Sequence, residues 1–268
     1  MLSVFILPTL YVWVARETDV LPDPEAHFAG QLSRRKGCKP NQEDIKMTRK
    51  EICARIEEIG IMPSVRVNAA DLALFAAETV YEAGIKVVEI TNTVPNAVAV
   101  IGQLTKNYPG LIVGAGTVLD IETGKRCVDA GARFITSPGL IPDVLEFTLK
   151  NDLVAMPGAL TPSEVIAAWK AGADFVKIFP CAQVGGDQYI RALKIPMPQI
   201  RLIASGGVNQ LTAANFIFAG ASSLGIGSEL MPRKALVTRQ DQWIHELARR
   251  FIEAVRNARI HIAGGDTD

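Results

Sequence analysis

A strand followed by a helix recurs eight times after about residue 60, and this repeat limits the chain to a small set of folds. Eight short runs of apolar, often β-branched residues alternate with helical patterns of two to four turns. Because the runs are apolar throughout, they are typical of parallel strands that helices cover on both faces. The predicted strands span residues 61–67, 87–91, 111–118, 134–137, 154–158, 175–179, 201–205 and 223–227.

Two arrangements accommodate eight such units, a closed (β/α)8 TIM barrel and an open, doubly wound sheet. A dinucleotide-binding loop would favour the open sheet, and Gly114 and Gly116 resemble the beginning of such a loop. However, Leu119 occupies the position of the third glycine, and no acidic residue follows in the expected register. We therefore predict an α/β fold, a (β/α)8 barrel over residues 47–260, with a C-terminal tail over 261–268.

The first 46 residues differ from the rest of the chain. Residues 2–15 form an apolar run that Pro8 interrupts, and the run is shorter than the roughly 20 residues that span a bilayer. It lacks the basic segment and the small-residue cleavage site of an export signal. We expect residues 1–46 to be a poorly ordered extension, which a start codon assigned too early would explain; an export signal is the alternative.

Composition excludes several classes of function. The chain has 28 Lys and Arg against 28 Asp and Glu, and only 6% aromatic residues, so neither general nucleic-acid binding nor attachment to an anionic membrane surface is expected. The four cysteines, Cys38, Cys53, Cys127 and Cys181, are not spaced as metal ligands or as a disulfide framework. We expect reduced thiols in a cytoplasmic protein that needs no metal and no cofactor.

One lysine lies inside an apolar strand. In a barrel, the catalytic groups lie at the carboxyl ends of the strands, and Lys177 stands there between Val176 and Ile178. Removal of a lysine from water favours the uncharged amine, which attacks ketones to form a Schiff base. Glu89, at the end of an early strand, is the natural proton shuttle. A structural ion pair between these two residues, or a lysine that reaches the barrel rim, is the alternative.

Two glycine-rich loops follow the last two strands. Ser205-Gly206-Gly207 ends the seventh strand, and Gly227-Ser228 ends the eighth. Barrels often bind phosphate at these two loops, because backbone N–H groups approach the anion closely where no side chain intervenes. Ordinary tight turns are the alternative.

The motifs, in this order along the chain, resemble the bacterial KDPG/KHG aldolases, the 2-keto-3-deoxy-6-phosphogluconate and 4-hydroxy-2-oxoglutarate aldolases. The resemblance covers about residues 50–235 and implies a metal-free class I aldolase barrel, usually a homotrimer. It implies that Lys177 forms the Schiff base and that Glu89 is the general acid/base. The motifs that carry it are Glu89-Ile90-Thr91, Gly114-Ala115-Gly116-Thr117-Val118, Ser137-Pro138-Gly139, Pro157-Gly158, Lys177-Ile178-Phe179-Pro180 and Ser205-Gly206-Gly207.

The resemblance also implies the substrate contacts. Thr117 and Pro138 would line the pyruvate pocket, and Gly206, Gly207 and Ser228 would hold the phosphate. We add Gly227 to the phosphate site. The remaining predicted substrate-binding residues are Arg66, Thr91, Thr93, Phe179 and Ser205.

The chain departs from the family pattern at Thr93. The family often has an arginine there, four residues after the catalytic glutamate, that binds the substrate carboxylate. A charge-assisted contact is therefore missing at this position. Arg66, at the end of the first strand, is our candidate to replace it.

We therefore predict cleavage of 2-dehydro-3-deoxy-6-phosphogluconate to pyruvate and glyceraldehyde 3-phosphate. The alternatives are the same mechanism on 4-hydroxy-2-oxoglutarate or on 2-dehydro-3-deoxy-6-phosphogalactonate, a phosphosugar isomerase, and a non-catalytic binding barrel.

Overall fold

The structure is a computed structural model that describes residues 47–265. The strands are β1 (Ile61–Val65), β2 (Val87–Thr91), β3 (Ile112–Gly116), β4 (Phe134–Thr136), β5 (Val154–Met156), β6 (Gly158–Ala159), β7 (Val176–Ile178), β8 (Leu202–Ser205) and β9 (Ser223–Ile226). The helices are α1 (Arg49–Ile59), α2 (Ala70–Glu82), α3 (Ala97–Asn107), α4 (Ile121–Asp129), α5 (Pro142–Lys150), α6 (Pro162–Lys170), α7 (Asp187–Lys194), α8 (Ala213–Phe218), α9 (Arg233–Val237) and α10 (Asp241–Gly264).

The strands form one parallel sheet that curls into a barrel. Their order is β5-β4-β3-β2-β1-β9-β8-β7-β6. The two pieces at the ends of this order, β5 and β6, are separated along the chain only by Pro157. β5 pairs with β4 and β6 pairs with β7, so this single segment closes the ring. The nine pieces correspond to the eight predicted strands; the (β/α)8 barrel is confirmed, and the open sheet is wrong.

Local sequence signals mark the ends of several helices. Thr48 and Thr161 start α1 and α6 with capping boxes, in which each threonine hydroxyl accepts a backbone N–H of the first turn. Four helical patterns are followed by an Ala-Gly pair whose glycine has a left-handed φ between 95° and 101°: Ala83-Gly84, Ala130-Gly131, Ala171-Gly172 and Ala219-Gly220. A residue with a Cβ is strained in that conformation, so glycine ends these helices and turns the chain toward the next strand.

The observed boundaries differ from the predicted ones in a few places. β3 ends at Gly116 rather than at residue 118, because Thr117 has a φ of 56°, which turns the chain out of the sheet. The short helix α9 was not predicted, and α10 continues to Gly264, beyond the predicted boundary of the tail at residue 260. The predicted extension over residues 1–46 lies outside the described residues.

One end of the barrel is covered. Arg49 of α1 donates a hydrogen bond to Asp174, just before β7, at 2.9 Å. Asp174 also accepts the Ala155 N–H of β5 at 2.8 Å. α1 therefore lies across the amino ends of the strands, and the carboxyl ends stay open. No helix in the part of the chain that the structure describes is long and apolar enough to cross a membrane.

Candidate active site

The side chains of Lys177 and Glu89 meet inside the barrel. Lys177 lies on β7 and Glu89 on β2, and the lysine Nζ lies 3.3 Å from Glu89 Oε1 and 3.2 Å from Oε2. The lysine side chain is 9% exposed and the glutamate side chain 1%. Because these strands are not neighbours in the sheet, only the closure of the barrel brings the two groups together.

Two opposing forces act on this pair. Burial penalises both charged forms, whereas the short distance between ammonium and carboxylate stabilises both charges. The lysine nitrogen also lies 5.9 Å from the centre of the Phe179 ring, within the range of a weak cation–π interaction. The nitrogen and the carboxylate are close enough for direct transfer of a proton between them.

Gly116 makes room for the glutamate. β3 pairs with β2, and a Cβ built on Gly116 would lie 2.1 Å from Glu89 Oε1 and 2.6 Å from its Cγ. No real contact between these atoms is that short, so any side chain at this position would displace the carboxylate. Asn92 fixes the end of β3 from the other side, since both its backbone N–H and its amide Nδ2 donate to the Gly116 carbonyl, at 2.8 and 2.9 Å.

Ser64 also contacts Glu89, although it was not among the predicted site residues. Ser64 is the register partner of Glu89 in the parallel pair β1–β2, so both side chains point into the barrel. Its hydroxyl donates to Glu89 Oε2 at 3.2 Å. In the sequence, only its position in the first predicted strand marked Ser64 as a candidate. Its contact with Glu89 depends on the register between β1 and β2, which only the tertiary structure shows.

Around this pair lies a cavity of about 660 Å³ at the carboxyl ends of the strands. All predicted site residues except Thr91 line it. Those residues are Arg66, Glu89, Thr93, Thr117, Pro138, Lys177, Phe179, Ser205, Gly206, Gly207, Gly227 and Ser228.

Thr91 is fully buried and does not line the cavity. Its hydroxyl donates to the Val65 carbonyl at 2.9 Å and lies 2.8 Å from the Thr93 hydroxyl. Since the Thr91 proton is already used, Thr93 is the donor between the two hydroxyls in this arrangement. Thr91 positions Thr93 rather than contacting a ligand.

Thr117 and Arg66 form one side of the cavity. Thr117 has a φ of 56°, a conformation that β-branched residues rarely adopt and that often marks a functional position. The Arg66 guanidinium donates to the Thr117 hydroxyl at 3.4 Å. Within residues 47–265, no carboxylate forms an ion pair with Arg66. Its positive charge is therefore available to a ligand.

The glycine loops after β8 and β9 form another part of the cavity wall. Gly206 and Gly207 have φ values of 86° and 89°, and a Cβ on Gly207 would lie 2.1 Å from the Cβ of Ala182. The backbone N–H groups of Gly206, Gly207 and Ser228 donate to no acceptor within the described residues. Unpaired N–H groups at the mouth of a cavity are suited to an anion.

Two charged residues on this side were also missed. Arg233, the first residue of α9, and Glu229, in the loop before it, both line the cavity. Neither forms an ion pair within the part of the chain that is described. In the sequence, only their position just after the last strand marked these residues as candidates. Whether they face the cavity depends on α9, and this helix was not predicted.

The described cysteines lie away from this chemistry. Cys53, Cys127 and Cys181 are buried and free, and none lines the cavity. Burial raises the pKa of Cys53 and of Cys181 to about 12. Among residues 47–265, no three His, Cys, Asp or Glu side chains are grouped as metal ligands.

The chain is similar to known proteins of one family. The sequence matches the family "KDPG and KHG aldolase" over residues 52–247. It is 31% identical over 206 residues to the 2-dehydro-3-deoxy-phosphogluconate aldolase of Pseudomonas aeruginosa, covering 76% of this chain and 93% of the relative. A probable 2-dehydro-3-deoxy-6-phosphogalactonate aldolase of Rhizobium meliloti is 36% identical over 151 residues, 56% of this chain and 71% of the relative.

A similar solved structure is that of the KDPG aldolase from Legionella pneumophila, captured at low pH with pyruvate as a covalent carbinolamine. It superposes with a TM-score of 0.67 at 28% identity, over 73% of this chain and 95% of that one.

Proposed function

The chain belongs to the KDPG and KHG aldolase family, and we propose that it cleaves 2-dehydro-3-deoxy-6-phosphogluconate to pyruvate and glyceraldehyde 3-phosphate through a Schiff base on Lys177. The observation that carries this proposal is the buried contact of 3.2 Å between the lysine nitrogen and the Glu89 carboxylate inside the cavity. Family membership makes the protein an aldolase, a carbon–carbon lyase, so the isomerase and the non-catalytic binder are no longer favoured.

Bond formation begins at the lysine. The free amine of Lys177 attacks the C2 ketone, its proton having passed to Glu89, and gives a carbinolamine. Glu89 then protonates the carbinolamine hydroxyl, which leaves as water, and the iminium forms. The positive nitrogen is now the electron acceptor for the next step.

Cleavage then needs a base. Glu89, again a carboxylate, takes the proton of the C4 hydroxyl, directly or through a water. The C3–C4 bond breaks, its electron pair moves into the enamine, and glyceraldehyde 3-phosphate leaves. The proton returns from Glu89 to C3 of the enamine, and the water released earlier is consumed when the iminium hydrolyses to pyruvate and free Lys177. Atoms and protons therefore balance over the cycle.

Arg66 is our candidate for the substrate carboxylate. Thr93 carries no charge, and in the structure its hydroxyl donates to Thr91, so it provides no charge-assisted contact for a carboxylate. Arg66 has no ion-pair partner within residues 47–265, and its hydrogen bond to Thr117 holds the guanidinium at the cavity wall. We expect Arg66→Ala to raise the KM for the keto acid about tenfold or more, the value of one charge-assisted contact. An unchanged KM would show that another group binds the carboxylate.

The glycine loops after β8 and β9 would hold the phosphate, through the N–H groups of Gly206, Gly207 and Ser228, with Arg233 as an added positive charge. The same mechanism on 4-hydroxy-2-oxoglutarate or on the galactonate epimer stays open, since the family and the Rhizobium meliloti relative include these activities by name. From the family resemblance we also propose that the protein is a cytoplasmic homotrimer, with a single aldolase domain over residues 47–260. Sedimentation velocity tests whether the protein is a trimer.

Borohydride trapping tests the proposal. The protein is reduced in the presence of pyruvate and digested, and the modified lysine is identified by mass spectrometry. We expect the adduct on Lys177, none in Lys177→Met, and full labelling in Lys150→Met, a control at an exposed lysine. A panel of phosphorylated and unphosphorylated 2-keto acids, assayed for pyruvate release, then decides among the substrates. The absence of an adduct in the wild type would refute the Schiff base.

A further inference from the structure

Glu89 has two hydrogen-bond donors, and only one of them takes part in covalent chemistry. Within residues 47–265, the carboxylate contacts the ammonium of Lys177 and the hydroxyl of Ser64, both at 3.2 Å from the same oxygen, Oε2. The side of the carboxylate toward β3 faces Gly116, which has no side chain to donate a hydrogen bond. With 1% of its side chain exposed, Glu89 has little access to bulk water that could replace a lost partner.

We propose that Ser64 is a positioning residue that holds the Glu89 carboxylate while Lys177 is converted to the iminium and the enamine. The inference rests on the proposed function, because it requires a covalent intermediate on Lys177. An ammonium has three N–H donors, but a protonated imine has one. The hydrogen bonding that Lys177 gives to Glu89 therefore decreases at the stage when the carboxylate must face the substrate.

A hydroxyl suits this position better than an amide or a second cation. Glu89 alternates between carboxylate and carboxylic acid during the proposed cycle, so its partner must first donate a hydrogen bond and then accept one. The Ser64 hydroxyl does both by rotation about its C–O bond. A fixed N–H donor would favour the carboxylate alone and so oppose the uptake of the proton.

The position of Ser64 in the barrel makes this contact rigid. Ser64 lies within β1, and its Cα is the register partner of the Glu89 Cα in the adjacent strand. The residue is half-buried and lines the cavity, so it can be replaced by an isosteric pair of side chains that differ in the hydroxyl.

The test compares Ser64→Thr, which keeps the hydroxyl, with Ser64→Val, which has the same shape without it. We expect the Thr variant to keep kcat within about threefold of the wild type and the Val variant to lose about tenfold or more, with KM changed less than kcat, because a hydrogen bond to a charged group is worth about this factor. Exchange of the pyruvate C3 protons in D2O, followed by NMR, should decrease in the Val variant by a similar factor.

Ser64→Ala removes the hydroxyl without adding volume. If Thr or Val at this position destabilises the barrel, the Ala variant still tests the role of the hydroxyl, and we expect it to lose kcat by about tenfold or more, as the Val variant does. Equal kcat values in the Thr and Val variants, or a loss in KM alone, would overturn the positioning role. Failure of the proposed function is separable from this result, because it would show as absent trapping and absent cleavage in the wild type.

Discussion

The contact between Lys177 and Glu89 predicts a specific pattern of stability in a double-mutant cycle. Both side chains are almost completely inaccessible, at 9% and 1%, so solvent does not screen the interaction. Removal of one partner from a buried ion pair leaves the other charge uncompensated and costs about 3–5 kcal/mol. Removal of both is close to neutral, because the desolvation penalty disappears together with the attraction.

We therefore expect Lys177→Met and Glu89→Gln each to lower the free energy of unfolding by about 3–5 kcal/mol, and the double variant to lose far less than their sum. For a domain of about this size each kcal/mol corresponds to about 2–4 °C in Tm, so either single variant should melt about 6–20 °C below the wild type. Urea denaturation at pH 7, with m-values compared to check that unfolding stays two-state, measures the four free energies.

The exposed pair Lys150–Glu146 provides the matched control. The same substitutions there, Lys150→Met and Glu146→Gln, should show no measurable coupling, since solvent and salt screen an exposed pair. Coupling at the buried pair should persist at high salt. Additive losses in the buried cycle, or single losses as small as those of the control, would refute the claim that this pair is a charged, buried interaction.

Three further predictions concern the same barrel. Gly116→Ala should lower kcat by about tenfold or more, because its Cβ would displace the carboxylate beside the lysine, whereas Gly264→Ala, with open space around it, should leave the rate unchanged. Arg233→Ala should raise the KM for a phosphorylated substrate about tenfold and leave the KM for an unphosphorylated substrate unchanged. Lys234 is an exposed neighbour that does not line the cavity, so Lys234→Ala should change neither KM. Equal effects of the two variants would exclude a role of Arg233 in phosphate binding. Burial raises the pKa of the Cys181 thiol to about 12, and the thiolate is the form that reacts with iodoacetamide. Cys181 should therefore resist iodoacetamide at pH 8 in the folded protein and react only after denaturation. Rapid alkylation of Cys181 in the native protein would contradict this.

The sequence was sufficient to predict the repeat and the chemistry of the strand ends. Strand and helix periods are local properties, and a buried strand shows as an apolar run whatever its neighbours are. The glycines of the four Ala-Gly pairs are also local signals, and each adopts the left-handed conformation that ends a helix. Lys177 stands out for the same reason, since a charged residue inside an apolar strand is unusual in any fold.

Which residues share the cavity was decided by the closed barrel. Lys177 and Glu89 are 88 positions apart in the chain, and Ser64 meets Glu89 only through the register of β1 against β2. Thr91 was predicted in the site but is buried behind Thr93 and does not line the cavity, and Arg233 was missed although it lines it. Successive strand residues face opposite sides of a sheet, so a side chain reaches the cavity or the outer layer according to register and loop path. Those are set by packing between distant segments, which no local pattern in the sequence encodes.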